Sequence, residues 1–175
     1  MERIKLLDLD NAPEKSKETL EKFSKGRRII NIFKAMANSP ATLKTFFGIL
    51  NALEDKNLSD DIIERIAIQL AVTNGCEYCL AAHSYSASKI LSSDEIMLAR
   101  EGKSSDQKAQ IALNFANLVM KNAGKVLDEE FENVKNAGFS DAEILEIITV
   151  VSLNFFTNAI NNVSQTKVDF PTPKE

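Results

Sequence analysis

Tryptophan is absent from the 175 residues, which include only six glycines, four prolines, two cysteines and one histidine. So few turn-forming residues leave little material for a many-stranded protein. The plentiful β-branched side chains recur at three- and four-residue spacing instead of alternating, so helices should dominate. Two cysteines cannot supply a disulfide framework, and with one histidine they give three of the four ligands of a structural zinc, so closing that shell within the chain would take a carboxylate. Basic residues number 21 against 25 acidic, a net charge of -4 with a pI near 5.2, which leaves no basic footprint for nucleic acid. No apolar run reaches the ~18 residues of a membrane span. Met1-Glu2-Arg3 leads into a charged segment and not into the apolar core of a signal peptide, so the chain reads as cytoplasmic. At 44% hydrophobic and 26% charged residues it has the composition of a soluble globular protein, and its length suits one domain, 1–175, able to bury a core without staples.

The scarce residues are not scattered. Both cysteines and the histidine fall within Asn74-Gly75-Cys76-Glu77-Tyr78-Cys79-Leu80-Ala81-Ala82-His83. The segment before it, from Ser59 to Val72, reads as a helix with Ser59 as N-cap, acidic residues in the first turn, and apolar positions 62, 63, 66 and 70. Asn74-Gly75 breaks it, with Asn74 expected to cap a second helix that folds back. Cys76 then lies in the first turn of that helix, where the positive end of the helix dipole favours a thiolate. Cys76, Cys79 and His83 share one face at spacings of three and four, with the cysteines at a separation that a disulfide can bridge.

Along one continuous helix Glu64 and His83 would lie about 28 Å apart. If the chain reverses at Asn74-Gly75, Glu64 lies about 15 Å before the turn and His83 about 12 Å after it, at nearly one level. The carboxylate can then orient the imidazole and stabilise its charge as the ring takes a proton from Cys79. Other readings of the same residues are half of a zinc site, a satisfied core histidine, and two cysteines acting as small buried hydrophobes. Tyr78 reads first as a half-buried aromatic with its hydroxyl satisfied, and second as a wall of the site.

Glu64, eleven residues, Cys76-x-x-Cys79, three residues and His83 resembles the signature of the AhpD-like alkylhydroperoxidases in the carboxymuconolactone decarboxylase superfamily. Val126-Leu127-Asp128-Glu129 and Ala137-Gly138-Phe139-Ser140 extend the likeness, which runs from about residue 30 to about 165. The resemblance implies an all-α, single-domain fold, assembly into trimers or hexamers, and thiol peroxidase chemistry. In it Cys79 reacts with the hydroperoxide, Cys76 resolves, and His83 with Glu64 relays protons. The dithiol would be recharged by a lipoamide- or thioredoxin-like reductant, with no metal or other cofactor required. Where the best-known alkylhydroperoxidases of this type carry a further histidine between the cysteines, this chain has Tyr78, so no role of that histidine carries over. The intact dithiol argues against the decarboxylase branch. A disulfide reductase, or a redox-sensing or interaction protein that toggles without turnover, is the alternative.

The remaining chain reads as a succession of capped helices. Residues 1–12 form an extended arm or a frayed terminus. Pro13 opens a polar helix to about Lys25, solvated or thinly packed, and Ile29 to Met36 supply a short apolar one. Arg27 and Arg28 belong to a solvated helix end, with binding of an anionic substrate as the other reading. Ser39-Pro40 starts a helix whose Phe46, Phe47, Ile49, Leu50 and Leu53 are core, or pocket wall in the family. The helix carrying the motif should run to Ile90 or Leu91. Helices then open at Ser92, at Ser104 to Gln107, at Asp128 as a cap, and at Ser140 with a capping box.

The last helix, through Ile160, is apolar nearly all round and must be buried centrally or against another subunit. Its Asn154, Asn158, Asn161 and Asn162 should bond between helices or subunits and take no catalytic part. Ser59 to Ile66 and Ser140 to Ile147 match at Ser, Asp and two Ile, a weak internal repeat. Residues 166–175 form a non-helical tail.

Overall fold

The computed structural model describes residues 2–171. Among these the secondary structure is helical: α1 (Glu14–Ser24), α2 (Asn31–Met36), α3 (Pro40–Ala52), α4 (Asp60–Thr73), α5 (Glu77–Ala87), α6 (Ser93–Arg100), α7 (Gln107–Lys121), α8 (Asp128–Asn136) and α9 (Asp141–Ser164), with a 3-10 turn at Leu53–Asp55. The tail is non-helical from Thr166 to Pro171, and its last positions, 172–175, lie outside the described residues. The caps account for many of the boundaries. The hydroxyls of Ser39, Ser92 and Ser140 and the carboxylate of Asp106 accept from the backbone N–H three residues on, and Glu143 completes a capping box with Ser140.

α4 is the centre of the molecule. It packs on α5, α6, α7 and α9, and Ile66, Ala67, Ile68 and Leu70 along it have no exposed surface. One core lies between α4, α7, α8 and α9, built on Ile66, Leu70, Leu113, Phe115, Ile147 and Val150. Burial of each large aliphatic side chain there contributes about 1.5–3 kcal/mol. A second core gathers the N-terminal arm, α1, α2 and α3 around the start of α5, with Leu20, Ile32, Leu43, Phe46 and Phe47 packed against Cys76, Tyr78 and Cys79.

The N-terminal arm is held down, not frayed: Arg3 and Leu7 donate backbone hydrogen bonds to Ser164 and Lys34, and Leu7 and Ala12 are buried. α1 is more than thinly packed, because Leu20 is buried and Phe23 stacks on Phe47 of α3 with ring centroids 4.1 Å apart. α5 ends at Ala87, short of Ile90, where the chain tightens into a turn and the N–H groups of Ile90 and Leu91 both reach the Ala87 carbonyl. Leu127, not Asp128, holds the N-cap position of α8.

α9 is long and apolar enough to cross a membrane by length and composition, but its inner side, Ile144, Ile147, Val150 and Val151, is buried in the core. Its outer side is open, with Leu145, Phe155 and Val163 between 58% and 64% exposed. The central, enclosed helix is therefore α4 and not the more apolar α9.

Candidate active site

The turn between α4 and α5 follows from three residues. Asn74 caps the C-terminus of α4, Gly75 takes the left-handed conformation at φ 62°, and Cys76 donates its N–H back to Ala71 while Gly75 donates to Val72. This pair of bonds is the Schellman arrangement, which uses the orphan carbonyls of a helix end. Cys76 is at the same time the N-cap of α5, and its sulfur accepts from the N–H of Cys79 at 3.2 Å. Asn74 thus terminates α4 and does not cap α5 as its residue type suggests; Cys76 does the capping.

α9 braces this corner. Asn74 donates its amide to Asn158 Oδ1, and Asn162 donates to the Asn74 carbonyl, each at 2.8 Å. Asn154, by contrast, bonds within its own helix, donating to the Val150 carbonyl.

The chain reversal brings the four motif residues together. Cys76 and Cys79 form a disulfide with Cα atoms 5.3 Å apart. Glu64 Oε2 and His83 Nδ1 lie 2.9 Å apart, with their side chains 19% and 30% exposed. Both border a cavity of about 410 Å³ that also reaches Cys79 but not Cys76. Its walls are mainly apolar, from Ile32, Phe33 and Phe46 on one side to Ile63 and Leu153 on the other, so Phe46 serves both core and pocket. Cys76 itself is 1% exposed and Cys79 3%. Among the described residues no group of three or more His, Cys, Asp or Glu is arranged to hold a metal ion.

Two parts of the site lie outside the motif. Asn161 of α9 directs its Nδ2 at the Cys79 sulfur, 3.3 Å away. The tail after α9 folds over the pocket: Asp169 accepts from the Tyr78 hydroxyl at 2.8 Å and from the Asn31 N–H at 3.1 Å, and pairs with Arg28. Arg28 is thus engaged by the protein's own carboxylate. Phe170 lines the cavity and meets the Tyr78 ring edge-on. Tyr78 also accepts from the Ile32 N–H, and burial, reinforced by Asp169, pushes its hydroxyl well above the usual phenol range. Tyr78 is therefore a neutral, fully bonded wall of the site.

Residues 40–120 match the model of the carboxymuconolactone decarboxylase family. Among proteins of curated function no relative was found by sequence. The alkylhydroperoxidase AhpD core, an uncharacterized peroxidase-related protein from Ralstonia eutropha JMP134, is similar at 23% identity over 96% of this chain and 92% of that one, with a TM-score of 0.82. An uncharacterized peroxidase-related protein from Silicibacter sp. TM1040 is similar at 24% identity over 95% and 94%, with a TM-score of 0.76. The debrominase Bmp8, solved as a cysteine-to-alanine variant with 2,3,4-tribromopyrrole, is similar at 19% identity over 95% and 91%, with a TM-score of 0.74. At these identities the solved structures speak for the fold, and the fold hosts more than one activity. The stretch that carries the dithiol thus matches the carboxymuconolactone decarboxylase family model, and the whole chain has the fold of the AhpD-like structures.

Proposed function

We propose that the protein is a thiol-dependent peroxidase that reduces apolar organic hydroperoxides. The observation that carries this reading is the shared cavity: one sulfur of a redox-capable pair, and a carboxylate-bound imidazole, border the same apolar space. In the reduced protein His83, held at Nδ1 by Glu64, takes the Cys79 proton. The thiolate attacks the distal oxygen of ROOH, the O–O bond breaks, and the sulfur becomes Cys79 sulfenic acid while the departing alkoxide takes the proton from His83 to give ROH. The Cys76 thiol then displaces the sulfenic hydroxyl as water, and the disulfide forms. Two electrons pass from the thiols to the peroxide and are restored by an external dithiol.

The burial of both sulfurs favours a slender reductant. A lipoyl arm can enter a cavity of about 410 Å³, whereas the folded surface of a thioredoxin-like protein meets no exposed sulfur. The exposed apolar stripe on α9, Leu145, Ile148, Phe155 and Val163, supports assembly with further copies of the chain, as a trimer or hexamer. The low pI and short-spaced dithiol fit a cytoplasmic role in antioxidant defence.

The test is peroxide turnover with dihydrolipoamide as electron source, in the unsubstituted protein, Cys76→Ser and Cys79→Ser. Steady consumption by the unsubstituted protein is expected. Cys79→Ser should not be oxidised by peroxide at all, and Cys76→Ser should stop after one equivalent with a sulfenic acid that dimedone traps. A single stoichiometric oxidation of the unsubstituted protein, with no recycling, would mean a redox sensor. Release of bromide from a brominated pyrrole, without peroxide consumption, would move the reading to reductive dehalogenation.

A further inference from the structure

The two sulfurs compete for the role of nucleophile, and the turn that carries them favours the wrong one. Cys76 occupies the N-cap of α5 and receives the backbone N–H of Cys79, the position at which a helix end best stabilises a thiolate. Yet Cys76 does not border the cavity, whereas Cys79 does. A substrate in the cavity meets the sulfur that the helix cap does not serve.

Asn161 supplies the missing donor. It projects from α9, eighty-two positions along the chain, is 3% exposed, and places Nδ2 3.3 Å from the Cys79 sulfur. A disulfide sulfur carries no hydrogen, so only the amide's nitrogen end can face it, and this orients the group. The amide oxygen is then buried without a partner, so the hydrogen bond to sulfur is the contact that holds the side chain's polar end. A thioether-like sulfur is a weak acceptor and a thiolate a strong one, so the bond strengthens when Cys79 becomes negative. The titratable groups bordering the cavity are Tyr78 and His83 on α5, Asp60 and Glu64 on α4, and Glu54 and Lys56 at its rim. α9 brings none to it, only Asn154, Thr157 and Asn161 among its polar side chains.

We infer that Asn161 is a catalytic residue, whose side-chain amide donates to the Cys79 sulfur, stabilises its thiolate over that of Cys76, and so selects the cavity-facing cysteine as the nucleophile. This deepens the peroxidase reading and rests on it for the substrate, though the selection between sulfurs is measurable with no peroxide present.

Thiolate absorbance near 240 nm is titrated in two single-thiol proteins. In Cys76→Ser, where only Cys79 titrates, adding Asn161→Leu should lower the thiolate fraction about tenfold at any pH below the midpoint, equivalent to a rise of about one pH unit. Asn161→Asp should lower it further by setting a carboxylate beside the sulfur. In Cys79→Ser, where only Cys76 titrates, Asn161→Leu should leave the curve in place. Should the leucine variant not fold, NMR of the unsubstituted reduced protein gives the same answer: the Asn161 Nδ2 protons should shift with the Cys79 titration.

An unchanged Cys79 curve, or an equal displacement of both cysteines, overturns the assignment, as do Asn161 protons that ignore the titration. If the thiolate responds as expected but peroxide is not turned over, the peroxidase reading fails and the role of Asn161 stands. Turnover with an unmoved thiolate removes the role of Asn161 and leaves the peroxidase reading intact.

Discussion

Replacing Glu64 by glutamine keeps the size of the side chain and removes its charge. At the observed 2.9 Å a full negative and a full positive charge attract by about 6 kcal/mol at an effective dielectric of ~20. Both side chains retain access to water, at 19% and 30% exposure, and glutamine keeps a carbonyl that accepts from His83. What is lost is the difference between a charge-assisted and a neutral hydrogen bond, about 1–2 kcal/mol. That loss appears when the imidazole becomes charged, so under the proposed relay it falls on the step in which His83 takes the Cys79 proton. The rate of Cys79 oxidation should drop about five- to thirty-fold.

The chain has no tryptophan to report the reaction, so reduced protein is mixed with cumene hydroperoxide, quenched with a thiol alkylator and read by mass spectrometry. His83→Asn should cost about a hundredfold or more, the scale of a lost acid–base group. Adding Glu64→Gln to it should cost nothing further, because the pair acts as one unit. Oxidation of Glu64→Gln at the unsubstituted rate, or a full additional loss in the double variant, would refute the relay.

Asp169→Ala removes the acceptor shared by the Tyr78 hydroxyl and the Asn31 N–H and frees the segment that carries Phe170. It should cost roughly 2–3 kcal/mol of stability and, by loosening an apolar wall, raise KM for cumene hydroperoxide relative to hydrogen peroxide; an unaltered ratio would mean that the tail is no part of the pocket wall. Glu95 is held down at about 2, from 4.5, by hydrogen bonds from Ser105 and, against the cost of burial, from Ser104 and Arg65. Because its folded value is depressed, the stabilisation is complete above about 4.5 and disappears as pH falls towards about 2. Glu95→Gln should therefore lower stability by roughly 2–3 kcal/mol at pH 7, less than a fully broken buried pair because Asp61 still meets Arg65, and melting curves of the two proteins should converge through that acid window. Light scattering should give a mass three or six times 19.4 kDa, and Leu145→Glu with Phe155→Glu should reduce it to one chain. A monomeric unsubstituted protein would remove the role assigned to the α9 stripe.

What could be read from the sequence was local. Ser39, Ser92 and Ser140 announce helix starts because a cap is a relation over three residues, and Asn74-Gly75 announces the reversal because the φ of Gly75 suits few other residues. From those two kinds of signal the approach of Glu64 to His83 follows by helix rise alone. Asn161 and Asp169 were not legible as parts of the site. Their contacts to Cys79 and Tyr78 span 82 and 91 residues, and nothing in an asparagine on a helix or an aspartate in a tail marks the partner. Apolar periodicity in α9 could not separate a core side from an outer one, since Ile147 and Leu145 look alike until α4 and α7 are in place. The roles of Cys79 and Cys76 came from a resemblance, because their spacing is symmetric with respect to chemistry.

Cys76 both finishes one helix and begins the next, which leaves this corner no slack. One residue inserted between Gly75 and Cys76 would turn α5 by about 100° around its own axis relative to α4 and α9, carrying Cys79 and His83 away from Glu64 and Asn161 together. Length variation in homologues should accordingly collect in the segments before α1 and between α7 and α8, while the stretch from Glu64 to His83 keeps its count.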